Sequence, residues 1–558
     1  MSRLKLAGFA VASGVLIALA NPSMLVPDPS PWPGWLAWIM LVPWFTALLR
    51  GASMWQGAWS GYLMGAVAWA LHFYWVLGVP YLGWGTVVMW VGPTLVWSVY
   101  PAVFGAGAVW LARQAYRMKG GVPQAPQKPV VSPRHTDQER GPTIHNFTSS
   151  QRDTSGSNPS EREPHGTLVY LVVLPTWWVV NEWCQNPLFH LPWHIGMPLY
   201  AHPSLTQGAA LGGVMIVSFV VAAFNIGLAA WWAKVPSRMA VTACGIGLAV
   251  LNGGWGMWRL QAVEGRLAAS PRRVAVVQGA FPMEMRRNPK HTLSVLDVYV
   301  RLARDAAGSK PDLIIWPEAA APGLLRFHPI GWPRVAAMAR ETRVPQILGF
   351  DDALLDDRGY PTHFFNTAWL LNTEGVLTQV YQKRFLYPLG ECIPWKGSGV
   401  FERFFVGVQE LTPGPSRALF DTPVGRAAIP ICNEIFFTED LRDWVNQGAE
   451  IIITLTNDTW FGKTSEPTIT LSRAVIRAVE HGRWLVRASD SGISAVISPT
   501  GRLKTMIPLF QRGFTTCVLD VQPVDTLYLR WGHAWLVVAV LISVLIMVQA
   551  KVDKALGR

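Results

Sequence analysis

Residues 312–318 read D-L-I-I-W-P-E, and this short stretch decides how the second half of the chain folds. Its apolar run is too short for a helix and long enough for a buried strand. Pro317 closes the run, and Glu318 stands immediately beyond it. The same pattern repeats on both sides. Arg273–Gln278 is a β-branched run followed by a helical pattern over 290–306, and a helical pattern over 333–343 leads into a strand over 344–349. Residues 365–372 and 376–382 predict two strands around the turn Thr373-Glu374-Gly375. Short apolar strands over 426–431 and 451–456 are separated by a helical stretch, 437–449. A helix near 467–483 and a hairpin turned at Pro499-Thr500-Gly501 complete the series. Strands alternating with helices predict one layered α/β domain over 258–530, with chemically active groups at the strand ends.

Outside that domain the composition changes character. Of 558 residues, 15% are charged and 51% hydrophobic, with 29 tryptophans. An ordinary soluble domain carries about 25% charged residues, so this chain cannot be soluble throughout, nor can it be disordered. Five cysteines are too few for a disulfide scaffold. Residues 1–112 hold only Arg3, Lys5, Asp28 and Arg50 as formally charged side chains. Between them lie apolar stretches near 7–23, 34–49, 57–79 and 86–112, and three more follow at 167–182, 206–233 and 239–257, with a last one at 531–550. Each is about as long as a bilayer-spanning helix needs, roughly 17–25 residues. The first reads as a retained helix, because no small-residue cleavage site precedes a soluble sequence.

Lys and Arg in the short loops give the orientation. Arg3 and Lys5 precede the first span, and Arg50 follows the second. Arg113, Arg117, Lys119 and Lys128 follow the fourth, Lys234 and Arg238 the sixth, and Lys551, Lys554 and Arg558 the last. The alternate loops near 24–33, 80–85 and 183–205 hold none. Both termini are therefore predicted cytoplasmic, and 258–530 extracytoplasmic, which is periplasmic in a diderm bacterium. The organisation expected is a membrane domain of seven spans over 1–257, the α/β domain, and a final span with its tail over 531–558. Residues 117–166, rich in Pro, Gly, Ser, Thr and charge, read as a disordered cytoplasmic insertion. Basic loops on one membrane face account for the net charge of +12 without a nucleic-acid partner.

The unusual residues fall at the strand ends. Glu318 follows D-L-I-I-W-P, Lys383 ends V-Y-Q-K, and Cys432 ends R-A-A-I-P-I; Glu391 lies in P-L-G-E, and Glu434 is two residues past the cysteine. Singly, such a Glu is usually a cap or a surface charge, and such a Cys a small core residue. Jointly they form an ordered set: W-P-E (316–318), Y-Q-K-R-F-L-Y-P-L-G-E (381–391), I-C-N-E (431–434) and T-N-D-T-W-F-G (456–462). That set resembles the nitrilase superfamily, whose Glu-Lys-Cys triad sits on an αββα sandwich. With seven apolar spans before the domain and one after, the chain is similar to the apolipoprotein N-acyltransferases. V-V-Q-G-A-F-P (276–282), the segment 473–497 and N-E-W…L-P-W (181–193) extend the resemblance over nearly the whole chain except 117–166.

The resemblance implies transfer of a fatty acyl chain from a phospholipid to the α-amino group of a diacylglyceryl-cysteine, with no metal or organic cofactor. A thiol suits such a transfer, because the thiolate is a strong nucleophile and a thioester stays reactive toward amines. Cys432 is then the nucleophile, Glu318 the general base, and Lys383 the cation on the developing oxyanion. Glu391 would orient Lys383 or Glu318, and Glu434 would support the site or its turn. Trp460, Phe461 and Asn433 are candidate substrate contacts. Apolar loops carrying Leu324, Leu325, Phe327 and Trp332, and Phe401, Phe404 and Phe405, either line a lipid entrance or pack on the spans. The expected partners are a phospholipid donor, an apolipoprotein acceptor and the bilayer, with the chain a monomer in the bacterial inner membrane. Cys432 is expected free. Two rivals differ in what they do: a membrane-anchored amidase would pass the acyl group to water, and a scaffold would carry out no chemistry.

Overall fold

Successive residues of one strand choose the layers. The computed structural model describes residues 1–24, 32–79, 85–118, 165–185, 193–265, 271–286, 288–388, 390–393 and 410–556. On β1 (Arg272–Gln278), Val274 and Val276 face one core while Ala275 and Val277 face another. The second core holds Val295, Leu296 and Tyr299 of the helix Thr292–Ala307 and Val335 and Met338 of Gly331–Thr342. Side chains alternate across a strand, so a strand buried on both sides must be apolar at every position.

The remaining strands are β2 (Leu313–Ile315), β3 (Gln346–Leu355), β4 (Pro361–Leu371), β5 (Leu377–Gln382), β6 (Leu419–Thr422) and β7 (Gly425–Ala428). They are followed by β8 (Ile451–Thr456), β9 (Trp484–Ser489), β10 (Ser494–Ile497), β11 (Leu503–Ile507) and β12 (Gly513–Leu519). They form two six-stranded sheets, in the orders β12-β1-β2-β3-β4-β5 and β11-β10-β9-β8-β7-β6. Each sheet has a parallel centre, β1-β2-β3 or β7-β8-β9, and antiparallel flanks. The helices Thr438–Asn446 and Glu466–His481 belong to the second sheet, completing four layers of the nitrilase type.

The expected helices and most strands appear within a few residues. The strand expected over 426–431 stops at Ala428, because Pro430 has no N–H to donate; Ile431 regains contact through an isolated bridge to Leu455. β6, β9 and β12 are additions. β9 carries Arg487 in its middle, which reads as a break until Asp458 is seen 2.5 Å from its guanidinium.

Among the described residues five helices are long and apolar enough to cross a membrane: Arg3–Ala20, Gly85–Tyr116, Val214–Trp232, Arg238–Glu264 and Ala534–Asp553. The last exposes Val537, Val538, Leu541, Leu545 and Val548, an apolar face with no protein against it. Three of the expected stretches are interrupted. The stretch 34–49 is a 3₁₀ turn, Trp32–Trp38, and a short helix, Val42–Leu49. The stretch 167–182 passes through a π turn at Val169–Val173, and 206–233 breaks near Gly213 before its long helix begins. The helix expected over 239–257 runs on to Glu264, so the boundary at 257 falls inside it. The insertion 117–166 lies almost entirely outside the described residues, as do Phe401, Phe404 and Phe405.

The helix Met54–His72 packs on Gly85–Met118 through Gly57, Gly61 and Gly65, one per turn. A methyl group at Gly61 would run into the carbonyl of Pro101, so the two backbones approach only because no side chain intervenes. The α/β layers are tied to the helical half at Val214, Gln207, Tyr74 and Trp75. Glu480 Oε1 accepts the N–H of Val214 at 2.8 Å, and Gln207 donates to Thr500 O at 2.8 Å. The N–H of Ser465 reaches the Tyr74 hydroxyl at 3.2 Å, and Phe461 packs edge-on against Trp75.

Candidate active site

Glu318, Lys383 and Cys432 come from three strand ends and meet in one cleft between the sheets. β2 ends at Ile315, and the chain turns sharply past it, with Ala319 at φ +45°. Gly349 of β3 makes room for that turn: a Cβ there would lie 2.6 Å from the Cα of Glu318. Lys383 follows β5, its N–H held by Asn366 O at 2.8 Å. Its Nζ lies 2.8 Å from each oxygen of Glu391 and 3.7 Å from Glu318 Oε1. Cys432 opens the short turn Cys432–Phe436 at φ +53°. A non-glycine residue in that region costs about 1–2 kcal/mol, and such strain concentrates at functional sites.

The electrostatics keep protons where a nucleophile and its base need them. Burial, and then the Glu318 charge, push the Cys432 thiol well above its ordinary range, with Lys383 pulling it down. The thiol is therefore protonated at rest and needs a base. Burial also raises Glu318, against the Lys383 charge and hydrogen bonds from Asn366 and the thiol. Glu318 Oε2 is buried with no nitrogen or oxygen donor on it. Burial alone would lower Lys383, but Glu391 and Glu318 outweigh it and hold the ammonium charged.

Around these three, other side chains fix the geometry. Glu391 accepts from Lys383, from Asn366 Nδ2 at 3.0 Å and from the N–H of Tyr387 at 2.7 Å, so it orients the lysine directly and Glu318 through Asn366. Asn366 Nδ2 also donates to Glu318 Oε1 at 2.6 Å. Glu434 accepts from the Tyr381 hydroxyl, the N–H groups of Arg384 and Phe385, and the N–H of Ile431. Burial raises Glu434 to about 7 despite these donors. Arg286 pairs with Asp490 at 3.3 Å and donates to the carbonyls of Glu318 and Ala319. Asn366, Arg286 and Asp490 were not singled out from sequence; the one signal was a polar Asn inside an apolar strand.

Asn433 is buried beside the nucleophile, with Oδ1 unpartnered. Trp460 is 37% exposed, and Phe461 packs edge-on against Trp75. Leu325 is core, Trp332 packs edge-on against Trp369, and Phe327 is exposed. All five cysteines are free, Cys392 and Cys517 among them. Among the described residues no group of three or more His, Cys, Asp or Glu is set to hold a metal ion.

Residues 273–527 match the carbon-nitrogen hydrolase family, and residues 155–227 match the apolipoprotein N-acyltransferase N-terminal domain. The fold and that match define the class: a nitrilase-type domain carried on membrane helices. Apolipoprotein N-acyltransferase of Geobacter metallireducens is 29% identical over 95% of this chain and 92% of its own length. The enzyme of the same name from Pseudomonas putida is 30% identical over 66% of this chain and 76% of its own. An amidase of the nitrilase superfamily from Nesterenkonia is 20% identical, covering 48% of this chain and 95% of its own, with a TM-score of 0.35. The chain belongs to the apolipoprotein N-acyltransferase family.

Proposed function

We propose that the protein transfers a fatty acyl chain from phospholipid to the N-terminal amine of a diacylglyceryl-cysteine on apolipoproteins, through a thioester on Cys432. The observation that carries this reading is the convergence of a protonated thiol, a raised carboxyl and a held ammonium in one cleft. In the first half-reaction Glu318 takes the thiol proton as sulfur attacks the ester carbonyl. Lys383 stabilises the oxyanion, and Glu318 returns the proton to the departing lysophospholipid alcohol. In the second, the acceptor amine attacks the thioester, Glu318 takes a proton from nitrogen, and that proton goes to the leaving thiolate. Glu391 positions Lys383, and Glu434 ties the nucleophile turn to the lysine strand. Trp460 and Asn433 border the substrates, and Phe461 shapes their entrance where the catalytic domain meets the bilayer.

The loop charges support eight spans with both termini cytoplasmic and the catalytic domain on the periplasmic side of a bacterial inner membrane. The domain limits 1–257, 258–530 and 531–558, with the insertion 117–166 cytoplasmic, belong to the same reading, as does action as a monomer. Its test incubates the full-length protein with phospholipid bearing a tagged sn-1 chain and looks for a hydroxylamine-labile label. Label on the wild type and none on Cys432→Ala is expected. No label on folded wild type would overturn the acyltransferase reading in favour of a scaffold, and label released to water but not to an acceptor amine would favour the amidase.

A further inference from the structure

Two carboxyl groups lie on the Lys383 ammonium, and a third stands close enough to feel its charge. Two are Glu318 and Glu391; the third is Asp351 of β3. Asp351 is the register partner of Asn366 on β4. Residues directly opposite on antiparallel strands share a face, with Cβ atoms about 4.5–5.5 Å apart. Asp351 thus stands beside the amide that holds both Glu318 and Glu391. Its neighbours point elsewhere: Phe350 packs in the helix-covered core, and Asp352 pairs with Arg326 at 3.2 Å. Asp351 is partly exposed, whereas Glu318 is buried. Asn366 Oδ1 is also buried with no hydrogen-bond partner, across the strand pair from Asp351.

The groups facing Asp351 come from every adjoining element. Partial desolvation by the surrounding protein raises it first; Glu318 and Glu391 raise it further, while Arg286 and Lys383 lower it, and the balance lies at about 7. Arg286 is already engaged by Asp490.

The stoichiometry of the proposed reaction supplies a task. An α-amino group has an ordinary pKa of about 7.7–8.0, so the acceptor arrives mostly as an ammonium. Ester plus ammonium gives amide, alcohol and one proton. Glu318 leaves the first half-reaction ionised and takes one proton from the ammonium. It must pass that proton on before it can take the second proton, released as nitrogen attacks the thioester carbon and the carbon–sulfur bond breaks; the second proton ends on the thiolate. We infer that Asp351 receives the first proton from Glu318 and releases it to solvent, acting through Glu318 as a positioning residue for the acceptor step. This rests on the acyltransferase reading above.

The test uses full-length protein in lipid, following thioester formation and its discharge by a diacylglyceryl-cysteine peptide separately. In Asp351→Asn, discharge at pH 7 should slow by about five- to ten-fold relative to acylation, because only the fraction of acceptor already present as free amine still reacts. At pH 9, where the acceptor arrives as free amine, the deficit should vanish, and Asp351→Glu should restore discharge at pH 7. Equal loss in both half-reactions, or a deficit that persists at pH 9, would overturn the relay. Absence of any wild-type thioester is a separate failure, which sinks the acyltransferase reading and the relay with it.

Discussion

The Glu434 carboxylate, two residues past the nucleophile, accepts the backbone N–H of Arg384, one residue past the lysine, at 2.7 Å. Its other oxygen holds the N–H of Ile431 at 2.8 Å, on the opposite side of Cys432. One buried side chain thereby sets the distance between nucleophile and cation, using an acceptor at each end. Glu434→Gln puts an amide donor against an N–H whichever way it turns. A buried group left unsatisfied costs about 1–3 kcal/mol, so Tm should fall and thioester formation should slow. Tyr381→Phe removes one donor and leaves the three backbone ties, from Arg384, Phe385 and Ile431, so its loss should be nearer about 1 kcal/mol. Equal effects of the two substitutions in thermal unfolding would refute a bridging role for Glu434.

Lys383→Met should lower the rate of thioester formation by about 10²–10³, the usual cost of one oxyanion donor. Because Lys383 lowers both Glu318 and Cys432, its removal should also displace the acylation pH profile upward. Quench-flow capture of the tagged acyl-enzyme measures both. A rate within two-fold of wild type, on the same scale of precision, would remove the lysine from the chemistry.

Acylation needs Glu318 ionised while the thiol keeps its proton. Burial raises the carboxyl, so the rate should fall as pH is lowered, with a midpoint above the ordinary value of 4.5. The sign is that of an acid whose folded pKa is raised: the competent, ionised form is gained only as pH climbs past that elevated value. A midpoint at or below 4.5 would contradict the desolvated base.

At the packed glycines of the membrane domain, Gly61→Leu should break the contact between Met54–His72 and Gly85–Met118. A side chain there meets the Pro101 carbonyl, and overpacking costs about 1–3 kcal/mol or more. Detergent-solubilised protein should unfold at lower temperature, whereas Gly8→Leu, with nothing within 4 Å of its Cβ, should be tolerated. An unchanged Tm for Gly61→Leu would show that the helices part without cost.

Much of the catalytic layer was legible because each strand is short and apolar and ends in a residue that does not belong in it. Glu318, Lys383 and Cys432 stand out against D-L-I-I-W, V-Y-Q and R-A-A-I-P-I for that reason. Asn366 and Asp351 were not legible, since their meaning lies in the register of β3 against β4. Alternation along β3 sends the Asp351 carboxyl to the inner face and that of Asp352 to Arg326, which two adjacent aspartates do not announce. Arg487 hid β9 because its partner, Asp458, is remote in sequence. Among the helices, hydropathy marked the apolar stretches but not the 3₁₀ turn, the π turn and the break at Gly213 that interrupt three of them, which depend on packing and on proline and glycine placement.

The joint between layers and helices has a practical consequence for protein engineering. Glu480 is fully buried, paired with Arg477 and satisfied by the N–H of Val214, a residue of the membrane half. Trimming the chain to a water-soluble fragment would withdraw that donor and uncover Phe461 at the same stroke. A screening reagent for inhibitor discovery therefore calls for the intact polypeptide, or for compensating substitutions at Glu480 and Phe461 before the helices are cut away.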